Sequence, residues 1–439
     1  MSSMIPATKR RFYYGWIVVI LSFITIALSA TIKQSFIVIF PAMLKEFTWS
    51  RTVFSVAPAL FGLVASIIGF LIGYLSDKID INKLIAIGAV FASVGLALCF
   101  FIEQLWQMVV FFGVLCAVGA SGLSLVPHTI IISNWFIKHR GTAIGIISSG
   151  SGAGTLAFIP LLQLVIAGWG WRLSYLAMAV FIGPLLIPFI FLFQKSHPDQ
   201  MGLKPLEKEV SSSEEGEPLR SRVVLAALMR NRRFWICFVQ FILGPLSTMP
   251  IVTHQAALLQ GKGLSSMGSA WVVGVYGLSV FCGMILSGTL SDRIGREWSY
   301  TLGTVSILLG TVFLLSGPTG GKLILPLFFA FFFGLGFGTR PAMDSATAVD
   351  IFKGRHFGLI YGILQLGLGI GLFCGPVLGG FIYDRNGTYT AAVVFCMVAV
   401  VMATVCIWAS APRRGSEEIL VQPDPRASCA SKGSSTRTK

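Results

Sequence analysis

Charged residues are scarce in this chain, and acidic residues are the scarcest. Only 12% of its 439 residues are Asp, Glu, Lys or Arg, and 18 acidic residues stand against 33 basic ones, a formal net charge of +15. Soluble domains carry about 25% charged residues, so this composition excludes an ordinary soluble protein. The hydrophobic fraction of 55%, arranged in long apolar runs, predicts a polytopic membrane protein instead. The excess positive charge then reports membrane topology and not nucleic-acid binding.

Motifs for catalysis and for metal binding are lacking as well. The eight cysteines show no CxxC or Cys/His spacing, and all but Cys429 lie in apolar runs. HExxH, GxSxG and phosphate-binding loop motifs do not occur. We therefore expect no enzyme, no metal site and no cofactor. A channel is not indicated either, because rings of like charge and repeated filter segments are absent from the sequence.

A short polar turn occurs twice. GYLSDKIDINK at 73–83 returns as GTLSDRIGREW at 288–298, in each case between two long apolar runs. The offset of about 215 residues is the scale of an internal repeat in a membrane transporter. In each copy a glycine precedes an aspartate that basic residues follow: Gly73, Asp77 and Lys78 in the first, and Gly288, Asp292, Arg293 and Arg296 in the second. The pattern predicts one bundle built twice.

Hydropathy predicts an all-α membrane protein with twelve transmembrane helices in two pseudo-symmetric six-helix bundles. The spans are roughly 14–40, 52–73, 83–102, 106–132, 141–168, 172–193, 234–258, 269–290, 299–317, 322–348, 357–382 and 389–410. The predicted division is a cytoplasmic N-terminus at 1–13, bundles at 14–193 and 234–410, a cytoplasmic linker at 194–233 and a disordered tail at 411–439. Lys and Arg concentrate at the termini, in the central loop and in the even-numbered loops, which places both termini in the cytoplasm by the positive-inside rule.

The doubled turn, the twelve spans and the central loop resemble the major facilitator superfamily over about residues 10–410. FYYGW at 12–16 and WFIKHRGTAIGIISSGSGAG at 135–154 are similar to signatures of the monocarboxylate transporter family and its bacterial relatives in the oxalate/formate antiporter group. The resemblance implies a secondary active carrier of small organic anions, most readily monocarboxylates. Such a carrier works by alternating access and is coupled to protons or to exchange. The arginine usual in span eight of these groups is absent here.

Under this resemblance, the two turns act as a cytoplasmic gate. Glycines in the turns would permit close helix approach, and the aspartates would pair with nearby bases at helix ends. A topology anchor alone is the alternative. Matching glycine-rich helices in spans five and eleven further predict close packing at the interface between the two halves.

Candidate substrate-binding residues are the few charged side chains inside the spans. Arg340 is the first choice for an anchor because a guanidinium fork matches a carboxylate. A permanent structural pair with Asp344 is the alternative. Lys33, late in span one, lies near the place of a substrate-accessible lysine in monocarboxylate carriers, and it either attracts the anion or snorkels to the outer interface.

Neutral polar residues complete the predicted site, and they are Tyr276, Tyr361 and Gln365. His128 and His254 are candidates for proton coupling, since histidine titrates near neutral pH. Asp344 is a third candidate, because it could neutralise Arg340 in the empty carrier and release it on binding or protonation. Ordinary interhelical hydrogen bonding is the alternative for both histidines.

The predicted partners are a small organic anion, protons or a counter-anion, and the lipid bilayer, without nucleic acid. We expect a monomer in the cell membrane. A drug or metabolite exporter of the same superfamily and a transporter-like receptor that binds without flux remain as alternatives, since only a flux measurement separates them.

Overall fold

The computed structural model describes residues 14–76, 79–136, 140–198, 228–316, 322–352 and 357–410. Over these ranges the chain forms long apolar helices and no strand. We number them α1 Gly15–Glu46, α2 Arg51–Leu75, α3 Ile81–Cys99, α4 Leu105–Trp135, α5 140–169, α6 171–193, α7 Arg232–Gly261, α8 Ser266–Ile294, α9 Arg296–Leu315, α10 Ile324–Ile351, α11 Phe357–Asn386 and α12 Thr390–Ser410.

Among the described residues, eleven helical runs are long and apolar enough to cross a membrane, and one of them supplies two spans. Short non-helical steps interrupt α4 at 123–124 and α7 at 247–248. The run Thr142–Phe193 has 52 residues, more than twice the roughly 20 needed for one crossing. It bends at Gly170, whose φ of 84° and ψ of 167° leave helical space. Glycine adopts such a conformation without the steric cost of a Cβ atom. The twelve predicted spans are therefore confirmed, with α5 and α6 joined directly at this kink.

Several helices differ from their predicted spans in detail. α1 continues through Pro41 to Glu46, beyond the predicted end at 40. A proline removes one backbone hydrogen bond, which a membrane helix tolerates where neighbouring helices surround it. α4 contains a π-helical segment, Val109–Cys116. Hydropathy carries no signal for such a segment, because it records composition and not hydrogen-bond register.

The helices form two halves, α1–α6 and α7–α12, that meet along three helix pairs. These pairs are α2 with α11, α5 with α8, and α1 with α7. We call the side where α1 begins and α12 ends the terminal face, and the other side the opposite face. Large apolar side chains such as Leu164, Phe191 and Val405 are exposed on the outside of the bundle, as expected for surfaces that contact lipid.

The two halves are in tight contact towards the opposite face. A Cβ atom built on Gly277 of α8 would lie 2.4 Å from the Thr155 side chain of α5. A Cβ atom on Gly380 of α11 would lie 2.7 Å from the backbone of Arg51 at the start of α2. Because neither distance leaves room for a methyl group, glycine is required there for the halves to meet. The predicted close packing of glycine-rich spans five and eleven is found at this level.

The halves separate towards the terminal face. Among the described residues, no atom lies within 4 Å of a Cβ atom built on Gly145 of α5, Gly73 of α2 or Gly288 of α8. The predicted close helix approach at Gly73 and Gly288 is therefore not found in this conformation. These open positions, together with the cavity that both halves line on this side, indicate that the interface between the halves is wedge-shaped.

Candidate functional site

A cavity of about 550 Å³ lies between the halves, in the part of the bundle next to the terminal face. The first half supplies most of its wall, through α1, α2, α4 and α5, and the second half supplies α11. Its lining residues are Ile26, Ser29, Ala30, Lys33, Phe61, Gly62, Ala65, Ser66, Gly69, Ala120, Ser121, Ser124, Leu125, Val126, Ser151, Tyr361, Gly362, Gln365, Leu368 and Leu372. A smaller cavity of about 40 Å³ continues from it towards the opposite face.

Lys33 lies where the two cavities meet and lines both of them. Its side chain is exposed to this interior space, and no hydrogen-bond or ion-pair partner for its ammonium group occurs in the part of the chain that the structure describes. α1 continues from Lys33 to Glu46, a distance of about 20 Å at 1.5 Å per residue. A lysine side chain cannot span that distance, so the Lys33 ammonium group does not reach the end of α1 and faces the interior space instead.

Two further predicted residues, Tyr361 and Gln365, line the same cavity from one face of α11. They are four residues apart in the helix and therefore point the same way. The Tyr361 hydroxyl lies 2.8 Å from the Ser345 hydroxyl of α10. The Gln365 amide makes no hydrogen bond within the described ranges. The structure thus brings Lys33, Tyr361 and Gln365 together around one space.

Five serines of the first half share the cavity wall, and none of them was a candidate on the sequence alone. We call this set the serine wall: Ser29, Ser66, Ser121, Ser124 and Ser151. Serine is neutral, small and common in membrane helices, so spacing alone gives no sign of its role. Only the position of each side chain on the cavity identifies it.

Arg340 is placed away from the cavity, inside the second half. It is 4% exposed, and its guanidinium donates to the Tyr300 hydroxyl and, at 3.3 Å, to the Thr304 hydroxyl, both on α9. Asp344 is equally buried and accepts a hydrogen bond of 2.8 Å from the Gln240 amide of α7. The two do not form the direct pair that was the alternative to substrate binding, because each side chain has partners on other helices. In this conformation neither residue can contact a ligand in the cavity.

Tyr276 and His128 are likewise enclosed by their own halves. Tyr276 is 1% exposed and its ring packs against Phe333 of α10, with 6.1 Å between centroids. His128 is fully buried, and its Nδ1 donates to the Ser124 carbonyl at 2.8 Å. Neither side chain lines the cavity, so the structure does not support their predicted roles in binding and proton coupling.

His254 lies at the contact between the halves, near the opposite face. Its Nε2 is 3.1 Å from the Pro376 carbonyl and 3.0 Å from the Ser55 hydroxyl, and its Nδ1 is 3.1 Å from the Tyr389 hydroxyl. A carbonyl can only accept, so Nε2 carries the proton and Nδ1 accepts from Tyr389. This neutral ring is satisfied on both nitrogens. Its geometry matches the interhelical alternative and links α2 to α7 and α11.

The Asp384 carboxylate joins the two halves at the outer edge of the same contact, next to the opposite face. Asp384, at the end of α11, accepts the backbone N–H groups of Arg51 and Thr52 at 3.1 and 2.8 Å and the Thr52 hydroxyl at 2.5 Å. The Arg51 guanidinium lies 3.7 Å from the centroid of the Tyr383 ring and donates to the Tyr389 hydroxyl. We call these five residues the Asp384 clamp. It joins the N-terminus of α2 in one half to α11 and the following loop in the other.

The residues of the repeated turn are only partly described. Asp77 and Lys78 lie outside the described residues, as does the side chain of Asp292. Arg293 is exposed. Arg296 forms an ion pair with Asp350, with 3.0 Å between Nε and Oδ2, and so ties α9 to α10 within the second half. A gating role for the two turns stays a prediction.

Sequence comparison supplies the family. The profile of the Major Facilitator Superfamily matches residues 19–347 and 327–433. This chain belongs to the major facilitator superfamily. MFS-type transporter YcxA of Bacillus subtilis (strain 168), described as uncharacterized, is 23% identical over 405 residues, which cover 89% of this chain and 93% of the relative. Within the superfamily, the chain resembles the monocarboxylate transporter group.

The resemblance to the monocarboxylate transporter group comes from animal relatives. Monocarboxylate transporter 12 of Xenopus laevis is 23% identical over 419 residues, 89% of either chain. Monocarboxylate transporter 13 of Rattus norvegicus is 26% identical over 396 residues, 87% of this chain and 85% of the relative.

Solved structures agree on the fold. A point mutant of the nucleoside transporter NupG superposes with a TM-score of 0.70 at 15% identity, covering 91% of this chain and all of that chain. A bacterial homologue of the human lysosomal transporter Spinster gives a TM-score of 0.69 at 17% identity, covering 92% and 98%. This superfamily member is a multi-pass membrane transport protein for a small molecule, and its relatives are transporters and not enzymes.

Proposed function

We propose that this transporter carries small organic monoanions, with Lys33 as the group that binds the carboxylate. The observation that carries the proposal is an ammonium group without a described partner at the inner end of the cavity. A charge inside a membrane protein costs several kcal/mol unless it is paired or solvated, so an anionic ligand stabilises this arrangement. Names of monocarboxylate transporters among the relatives support the same class of substrate.

Lys33 supplies the cavity with a cation although span eight has no arginine. α8 contributes no described residue to the cavity wall, whose cation comes from α1 and whose second-half side chains come from α11. One cation among the described lining residues favours one negative charge on the substrate, since a second carboxylate would lack a partner.

We propose alternating access as the mechanism, with the terminal face in the cytoplasm of a cell-membrane protein. The excess of Lys and Arg in the termini and even-numbered loops supports this orientation. The wedge-shaped interface then corresponds to a conformation with its wide end towards the cytoplasm. The Asp384 clamp and His254 hold the other side, and transport requires these contacts to break. A single chain contains both halves and the whole cavity, which supports a monomer.

Coupling follows from the same lysine. An empty carrier that reorients with a bare ammonium group inside the membrane meets a large desolvation cost. Returning with a second anion removes that cost and gives exchange. Returning after the ammonium has released its proton removes it too, and then each anion crosses with one proton.

The test is uptake of radiolabelled lactate and pyruvate into proteoliposomes, with and without an imposed pH gradient. Lys33→Gln should abolish uptake, because it removes the only described cation of the cavity. Lys45→Gln is the matched control, since Lys45 is an exposed lysine of the same helix near the opposite face. Uptake that survives in Lys33→Gln would refute the assignment. Binding by the unsubstituted protein without uptake would indicate a receptor.

A further inference from the structure

Each hydroxyl group of the serine wall already donates a hydrogen bond to a backbone carbonyl. Ser66 donates to the Gly62 carbonyl at 2.9 Å, and Ser124 to the Ser121 carbonyl at 2.7 Å. The other three donate to backbone carbonyls as well, at 2.8 Å from Ser29, 2.7 Å from Ser121 and 3.0 Å from Ser151. A serine hydroxyl has one proton and two acceptor lone pairs. What this wall offers to a ligand is therefore a set of acceptors.

Hydrogen-bond donors are few among the described lining residues, and none of them belongs to the serine wall. Lys33 offers an ammonium group on α1, and Gln365 offers an amide from α11. The Tyr361 hydroxyl is engaged with Ser345. No Asp or Glu occurs among the described lining residues, so the acceptors of the serine wall are neutral and give no charge partner for a substrate ammonium group. Neutral donors such as hydroxyl groups fit them.

We infer that the preferred substrate is a polyhydroxylated monocarboxylate, with its carboxylate at Lys33 and its hydroxyl groups donating to the serine wall. This inference rests on the proposed function and adds the chemical class of the uncharged part of the substrate. The serines are distributed over α1, α2, α4 and α5, so they face a chain of several carbon atoms and not a single substituent. The volume of about 550 Å³ accommodates such a chain.

Pairs of anions with equal carbon number test the inference. Gluconate is compared with hexanoate, and glycerate with propionate, both as labelled substrates and in binding titrations of the purified protein in detergent. Glucarate, which has the same hydroxylated chain and a second carboxylate, tests the limit to one charge. We expect gluconate and glycerate to bind more tightly than their unsubstituted partners, because unmatched acceptors in a cavity reject a ligand that lacks donors. Glucarate should bind more weakly than gluconate.

Ser66→Ala and Ser124→Ala test whether the preference for hydroxylated anions arises at the serine wall. Each substitution removes one acceptor, and the hydrogen bond that each serine donates lies within its own helix. Loss of one hydrogen bond should raise the Kd for gluconate about fivefold and leave that for hexanoate unchanged. Ser35→Ala is the matched control, because Ser35 is a buried serine of α1 that donates to the Ile32 carbonyl and does not line the cavity.

The outcomes separate the two proposals. Hexanoate bound or transported as well as gluconate would overturn the hydroxyl preference and leave the anion carrier intact. Gluconate binding that is weakened by Ser66→Ala, but without flux, would support the inference and refute transport of organic anions. If no anion binds to the folded protein, both are wrong.

Discussion

Replacing Asp384 by Asn is expected to weaken closure at the opposite face. The Asp384 carboxylate accepts the first backbone N–H groups of α2, which belongs to the other half. The N-terminus of a helix carries a partial positive charge, so an anion is stabilised there. Opening this face must separate Asp384 from Arg51 and Thr52. The bond therefore stabilises one conformation of the transporter and not the other.

The free energy lost in Asp384→Asn depends on how far the carboxylate is exposed to solvent. Asp384 is exposed, so solvent screens its charge, and a charge at an exposed helix N-terminus contributes about 0.3–1 kcal/mol. Asparagine keeps one oxygen acceptor but loses the charge and the second oxygen. A further hydrogen bond contributes about 0.5–1.5 kcal/mol net. We expect a total loss of about 0.8–2.5 kcal/mol, which shifts a two-state equilibrium about fourfold to seventyfold towards opening at this face.

The assay is a distance distribution between two spin labels across that face, measured by double electron–electron resonance. Labels at Lys45→Cys and Thr388→Cys report on it, because both residues are exposed and they belong to different halves. The native cysteines are replaced first. Glu103→Gln is the control, since it neutralises an exposed carboxylate on the same face. If Asp384→Asn gives the same distribution as Glu103→Gln, the carboxylate does not hold the halves together.

Two other substitutions test the arrangement. Gly380→Ala should keep the opposite face from closing, because its Cβ atom would lie 2.7 Å from the Arg51 backbone, which cannot move aside as a side chain can. The same spin labels should show a longer distance, and an unchanged distance would contradict this contact. Arg340→Lys should lower the thermal unfolding midpoint without changing substrate Kd, because a lysine cannot reproduce the guanidinium contacts with Tyr300 and Thr304 on α9. If Arg340→Lys has normal stability but a raised substrate Kd, Arg340 contributes to substrate binding after all.

The fold could be predicted from the sequence because the bilayer permits few solutions. Backbone groups in hydrocarbon must be satisfied within a helix, so long apolar runs identify the spans, and the repeat at 73–83 and 288–298 identifies the two halves. The direct connection of α5 to α6 at Gly170 was not predicted. A positive φ at one glycine leaves no trace in hydropathy.

The site could be predicted only in part, because a sequence does not say which way a side chain points. Lys33 was a candidate because it lies inside span one, near the place of a lysine in monocarboxylate carriers, and the structure places its side chain on the cavity wall. Arg340 has similar depth in α10, yet it faces α9, where Tyr300 and Thr304 satisfy it. Asp384 could not be identified from the sequence, since its partners Arg51 and Thr52 lie more than 330 residues away in sequence.

The single ammonium group of Lys33 has an electrical consequence under the proposed mechanism. With a monoanion bound, the reorienting site is neutral, and the membrane potential does little work on it. Without the anion, the same movement carries one positive charge through part of the field, and a full crossing corresponds to about 2.3 kcal/mol per 100 mV. The membrane potential should therefore change the rate of the empty return step and leave the loaded step almost untouched.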